Sequence, residues 1–269
     1  MSQTETTAKP AAENSEPNVP GSSYILNGFK WFSSATDSNV SLALARTGHI
    51  SGGSRSLSLF LVPLRLPLIA PPNGPVPSST SNGIFVHRLK NKFGTQIVPT
   101  AELSINGAEA YLLGSLNTGV KSIIPVLNIT RMHSAAGSIG YVRKALAIAQ
   151  AYAYVRRVQG QSVLLKNVPI HTEELAKISL VYRGLTHFFF GVAHLLGKEE
   201  CKTASEDDKR RLRLLTPTVK AFAADKGVAA VEEAMTALGG LGYMEETGIG
   251  RYVHVAGALF ITSFIFLKG

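Results

Sequence analysis

The sequence predicts an α+β protein: an antiparallel β-barrel or sandwich followed by an incomplete helical bundle. Three observations carry that expectation. Residues 22–116 show short apolar runs and partial alternation broken by Gly, Pro and Ser, the pattern of strands and turns. After Gly119 apolar and small residues recur at helical spacing. The chain holds 269 residues, 45% hydrophobic and 17% charged, enough for a sizeable core in one or two domains.

In chain order, residues 1–21 are polar and rich in Pro, Ser and Glu, and a disordered tail is expected there. They lack the apolar centre of a secretory signal, and their acids argue against a transit peptide, which points to an intracellular protein. "YILNGFKWF" places Asn27-Gly28 where a hairpin turn is expected, and Asn106-Gly107 repeats the signal. "NVSLALARTG" and "RSLSLFLVPL" read as strands, and the Pro-rich stretch after Leu64 reads as a loop. A domain boundary is expected at 116/117, with the helical domain over 117–251. Helices are expected at about 120–157, 172–198 and 217–238, with Thr172 capping the second. "KEECKTASEDDKRR" reads as a charged connection, and Thr216-Pro217 as N-cap and first residue of the third helix. Gly239-Gly240 ends that helix. Residues 252–269 form an apolar tail; its run Val255–Leu267 is short for a membrane span, which needs about 20 residues.

Charge and cysteine narrow the chemistry. The formal net charge of +9 favours anionic partners, whether phosphorylated cofactors, nucleic acid or acidic surfaces. Cys201 is the single cysteine, so no intrachain disulfide forms and a reducing compartment fits. His133 and His171 lie far apart without metal-ligand spacing. "ALGGLGYMEETGIGR" follows a helix, so it is not the dinucleotide fingerprint that follows a strand. Each candidate residue has a structural reading too. Trp31, the only tryptophan, reads as a core side chain, Gly239 and Gly240 as helix termination, and Arg156 as a cation at a helix C-terminus.

The order of segments says more than any one of them. "LNGFKWFSSA", "LFLVP", "RLKNKFGTQIVPTAEL", "LNITRMHSAAGSIGYVRKALAIAQAYAYVRR" and "ALGGLGYMEETGIGR" together resemble the acyl-CoA dehydrogenase family, in its AidB-like branch, over residues 22–251. The resemblance implies FAD held between a middle β domain and a C-terminal helical bundle. It implies that Trp31 and Ser33, with Ser34 adjacent, lie against the flavin ring, where the hydroxyl tunes flavin electronics. Arg156 matches the arginine of an R-x-x-F-G motif that binds the FAD pyrophosphate, usually across a subunit interface, so a homo-oligomer is implied. Gln159 stands where that motif has Phe, and Gly160 is kept. Gly239 and Gly240 match paired glycines that let the cofactor approach. Arg131 matches an arginine near the acyl-CoA site.

The departures bear on activity. The family's N-terminal helical domain and its M-T-E-x-x-G-G-S-D segment have no counterpart here, and its Glu-Gly-Thr motif has none after Arg251. That glutamate is the usual base. The position some relatives use instead holds Thr130, with Asn128 nearby. No catalytic residue is assigned. The expected reading is an apparently truncated, impaired relative of enzymes that oxidise an acyl-CoA thioester at its α,β bond. The alternatives are a non-catalytic AidB-like module binding nucleic acid or protein, and a truncated product without function.

Overall fold

The computed structural model describes residues 4–11, 19–67 and 80–254. They fall into two compact units, Met1–Lys92 with Gln96–Val126, and Phe93–Thr95 with Leu127–Gly269. The division lies within the first long helix, one residue after its internal Pro125.

The first unit is built from β1 (Thr7–Pro10), β2 (Ser23–Ser34), β3 (Val40–Arg46), β4 (Leu57–Pro63), the short pair β5 (Arg65–Leu66) and β6 (Thr80–Ser81), β7 (Ile84–Leu89) and β8 (Thr100–Leu113). Hydrogen bonding follows the order β2-β1-β3-β4-β8, and β8 returns to β2, which closes a barrel. All these neighbours are antiparallel except β1 and β3. One edge of β8 is shared. β4 takes its end at Tyr111–Leu113, and β7 takes the stretch from Ala101 to Ile105. Inward positions alternate along the strands, so Tyr24, Leu26, Phe60, Val62, Ala108, Ala110 and Leu112 fill the interior.

Two expectations change here. Residues 7–10 are not part of a disordered tail: β1 pairs with β2 from Thr7↔Asn27 to Pro10↔Tyr24 and supplies the link to β3 at Arg46. Ala8 gives that strand a buried apolar contact, which polar composition concealed. Residues 1–3 and 12–18 lie outside the described residues. Nor is Asn27-Gly28 or Asn106-Gly107 a hairpin turn. Both sit within long strands, and Asn27 pairs with Asn106. The register then jumps from Asn27↔Asn106 to Leu26↔Ala108, leaving Gly107 as the extra residue of a bulge. Gly107 has φ +72, and its N–H donates to Asn27 Oδ1 at 2.9 Å. Gly28 has φ +142, and a Cβ there would lie 2.6 Å from Thr6 Cα. The bare backbone of Gly28 thus lets the chain before β1 approach the sheet, and Gly107 forms the bulge instead of reversing the chain.

The second unit is helical. α1 (Gly119–Val155), α2 (Pro169–Glu200) and α3 (Glu206–Thr236) are its long helices, and a small hairpin of β9 (Arg157–Val158) and β10 (Val163–Leu164) follows α1. One core cluster joins Val142–Ala153 of α1 to Leu175 and Ile178 of α2 and Ala230–Ala234 of α3. The other joins Met132–Ile139 to Leu185 and Val192 and to Leu212–Ala223. Those pairings make α2 antiparallel to both neighbours. Alanines line the contact on α1 and α3, and their small side chains let the helix axes approach.

The ends of the helices correct the sequence reading. α2 starts from Val168 with Pro169 in its first turn, and Thr172 sits inside it, donating to Val168 O. α3 starts much earlier than Thr216. Ser205 caps it, with Asp208 completing a reciprocal box. The acids read as a connection are its first turn, where negative charge suits the helix dipole. Pro217 lies inside α3, and the Thr216 hydroxyl donates to Leu212 O at 2.7 Å. Beyond α3, residues 249–254 are again helical. Ile249 is buried, and Tyr252 stacks on Tyr141 at 5.3 Å, so 252–254 belong to the bundle and not to a divergent tail. Residues 255–269, which hold the apolar run, lie outside the described residues.

Candidate functional site

The candidate residues fall into two sets, one in each unit. In the barrel, Trp31 and Phe32 occupy a second bulge of β2, between Lys30↔Leu103 and Ser33↔Ala101. A regular strand would turn one of two successive side chains inward. The bulge points both outward, and Trp31 is 62% exposed. It is therefore not the core residue that its size suggests. Its ring is held from one side, with Lys90 Nζ 3.2 Å from the centroid. Lys90 in turn pairs with Glu102, which also accepts from Arg88 Nε at 2.7 Å. The two cations hold the Glu102 carboxyl below its usual range, chiefly through the hydrogen bond from Lys90.

Ser33 is half-buried, and its hydroxyl makes no hydrogen bond among the described residues. Ser34 is exposed and shares a 2.9 Å hydrogen bond with Thr100. The hydroxyl left open is thus the one two residues after Trp31. Lys30, which the sequence reading passed over, donates to Leu44 O at 2.6 Å, and burial lowers its pKa to about 8.

In the helical unit, Arg156, Gly239 and Gly240 come together. They line one cavity of about 790 Å³ with Tyr152, Leu165 and His171. Arg156 stands where α1 gives way to the small hairpin. Its backbone is fixed on both sides, N–H to Tyr152 O at 2.9 Å and carbonyl from Leu165 N at 2.8 Å. Its guanidinium has no side-chain partner among the described residues. Gln159, Gly160 and Gln161 all have positive φ in the turn of that hairpin, so a turn occupies the segment where the family motif carries Phe.

Gly239 has φ +61, which explains a glycine by backbone geometry alone. Gly240 does not, because its φ is ordinary and a Cβ there would meet nothing within 4 Å. The fold would accept a side chain at 240, but that side chain would project from the cavity wall.

Arg131 is not part of this cavity. It lies near the start of α1, where its Nη1 donates to Asn128 Oδ1 at 3.1 Å and burial lowers its pKa. It approaches Lys220 of α3, whose pKa is lowered by burial and further by Arg131. Thr130 is exposed, and its hydroxyl donates to Leu127 O. Among the described residues no group of three or more metal-binding side chains gathers, and no helix is long and apolar enough to cross a membrane.

The closed barrel and the long packed helices match the fold of solved acyl-CoA dehydrogenases. The butyryl-CoA dehydrogenase of Megasphaera elsdenii superposes with a TM-score of 0.72 at 20% identity, over 90% of this chain and 59% of that one. The chain belongs to the acyl-CoA dehydrogenase family: the model of the acyl-CoA dehydrogenase C-terminal domain matches residues 117–262. Acyl-CoA dehydrogenase family member 11 of Caenorhabditis elegans is 43% identical over 84% of this chain and 35% of its own length. Putative acyl-CoA dehydrogenase AidB of Escherichia coli K12 is 32% identical, over 85% and 38%. The crystal structure of C. elegans ACDH-11 in complex with C11-CoA matches with a TM-score of 0.75 and 36% identity, over 96% of this chain and 46% of that one. The chain therefore spans a little over a third of the length of these two curated relatives.

Proposed function

We propose that the chain carries two parts of an FAD-dependent acyl-CoA dehydrogenase site and that its own turnover is weak. The single observation behind the cofactor is the cavity in which Arg156, Gly239 and Gly240 meet, three residues that the linear sequence keeps apart. An unpaired guanidinium offers two parallel donors to a diphosphate. Gly240, a glycine that neither φ nor crowding requires, leaves backbone open to such a group. In the barrel, Trp31 offers a flat face for a flavin ring, and Ser33 a hydroxyl without a partner. Lys90 and Glu102 keep that tryptophan oriented.

Bound FAD would supply the electron acceptor for oxidation of an acyl thioester between its α and β carbons. The chain's own residues have to hold the thioester, exclude water and remove the α-proton. Arg131 is the candidate for the first task. For the last, a carboxylate is needed within hydrogen-bond reach of the proton. Thr130, at one of the positions the resemblance assigns to that base, cannot serve. Loss of such a base costs about 10²–10⁴-fold in rate. The homo-oligomer belongs to the same reading, with a neighbouring copy completing the cofactor's surroundings.

FAD titration followed by flavin fluorescence, with an acyl-CoA oxidation assay across short, medium and long chains, tests both halves. Saturable but loose FAD binding with near-background oxidation is expected. Absence of FAD binding would overturn the cofactor assignment, and robust turnover would overturn the impairment. The +9 charge supports a second reading, contact with nucleic acid, whose signature would be affinity falling steeply with salt.

A further inference from the structure

His171 is a half-buried side chain of the cavity that the reading above leaves unused. Its ring lines two hollows. One, of about 400 Å³, is bordered by Glu174, Glu232 and Glu233. The other is the cavity of Arg156, whose lining contains no carboxylate. An anion is repelled from the first and attracted to the second.

The ring's protonation follows from its surroundings. Nε2 is buried without a hydrogen-bond partner. A proton on it would be a donor that neither water nor protein satisfies, at a cost greater than the bond it could make. The second proton is disfavoured as well, since burial lowers the His171 pKa. The neutral ring therefore carries its proton on Nδ1, the nitrogen that is not sealed off and that makes no hydrogen bond among the described residues. The outcome is a neutral donor, set in the first turn of α2, on the wall of a cavity whose charged side chain is the Arg156 guanidinium.

Resting on the FAD reading, we propose that His171 is a ligand-binding residue of this cavity, its Nδ1–H donating to a phosphate oxygen of the nucleotide diphosphate that Arg156 holds. Arg156 supplies the charge, and His171 supplies a directed hydrogen bond from the side. A donor to a charged acceptor is worth enough that its loss weakens binding by about tenfold.

The test uses the full chain with ADP and FAD as probes, measured by calorimetry. His171→Leu should weaken both by about tenfold, whereas His171→Asn, whose amide nitrogen falls near the Nδ1 position, should retain most of the affinity. Melting curves of the free proteins identify any variant that fails to fold. The ¹⁵N resonance of the wild-type Nδ1–H should move on saturation with ADP, a response that a purely structural histidine would not give. Equal affinity for wild type and His171→Leu, or an unmoved resonance, would overturn the proposal. If Arg156→Ala weakens ADP while His171→Leu does not, the histidine's role alone fails. If the wild-type chain binds neither ADP nor FAD, the cofactor reading fails and this inference goes with it.

Discussion

The two units present their candidate residues in opposite conditions. In the barrel, Trp31 is exposed but already held, through Lys90 to Glu102 and Arg88. In the helical unit, Arg156 and His171 are fixed through their backbones, and their polar atoms lack partners. A held aromatic loses little freedom when a flat ligand stacks on it, which is preorganisation. The guanidinium and the imidazole Nδ1 are the reverse, because no protein group among the described residues holds them and a ligand can take up their donors. The comparison teaches that shape is prepared in one unit and charge is left open in the other.

The largest way to break it is Gly28→Ala. The Cβ would strike Thr6 backbone at a φ of +142, and a loss of about 3 kcal/mol is expected. Urea unfolding measures it. A neutral result would mean that β1 does not close the barrel.

Next comes pH, through Lys30. Its folded pKa of about 8 lies below its ordinary 10.5. Between those values the unfolded chain binds more protons than the folded one, so stability rises with pH across that window. The gain is on the order of 3 kcal/mol. Lys30→Met should abolish this rise, and a rise that persists in the variant would assign it to another group.

Glu102→Gln is smaller in stability and larger in signal. It weakens the anchor of Lys90, and Trp31, the only tryptophan, reports the change as altered fluorescence. In the wild type the Glu102 pKa is depressed. Its contribution is therefore complete above the unfolded carboxylate pKa and lost as pH falls through the folded one. The Trp31 signal should follow that acid transition, and Glu102→Gln should show no such transition.

The smallest stability effect belongs to Gly240→Ala, within about 1 kcal/mol and of stabilising sign, since its backbone suits alanine. Its effect on ADP affinity should nevertheless be a clear loss. Unchanged affinity would remove the cavity's reason for a bare backbone at 240.

Much of this was legible in the sequence. The change of period at Gly119 marked the first residue of α1, and β strands precede it. The three long helices were all foreseen, because amphipathic and small-residue spacing persists over many turns. Helix starts were less legible. Pro217 looked like a beginning, yet Ser205 and Asp208 formed the reciprocal cap one charged run earlier. Those acids read as solvated loop because their neighbours are equally polar. Asn-Gly misled for a related reason: the dipeptide declares a positive φ, and a bulge satisfies that demand as well as a turn does. For the site, Arg156, Gly239 and Gly240 were found by resemblance, and the fold brings them to one cavity. Arg131 lies elsewhere. Lys30 and His171 could not be found from sequence, since burial is what singles them out and burial depends on residues far along the chain.

The paired Asn-Gly bulge also has a consequence for how the molecule ages. In a flexible chain the Asn-Gly link is chemically weak, because the glycine nitrogen can swing onto the asparagine amide and close a ring that later opens as aspartate. Here Asn27 Oδ1 is engaged by Gly107 N–H, and both dipeptides lie within paired strands. The native barrel thus shields the Asn27-Gly28 and Asn106-Gly107 links, and each excursion to the unfolded state exposes them. Deamidation at Asn27 and Asn106, followed by mass spectrometry of stored protein, should track the unfolded fraction; equal rates in folded and denatured samples would show that the bulge gives no shelter.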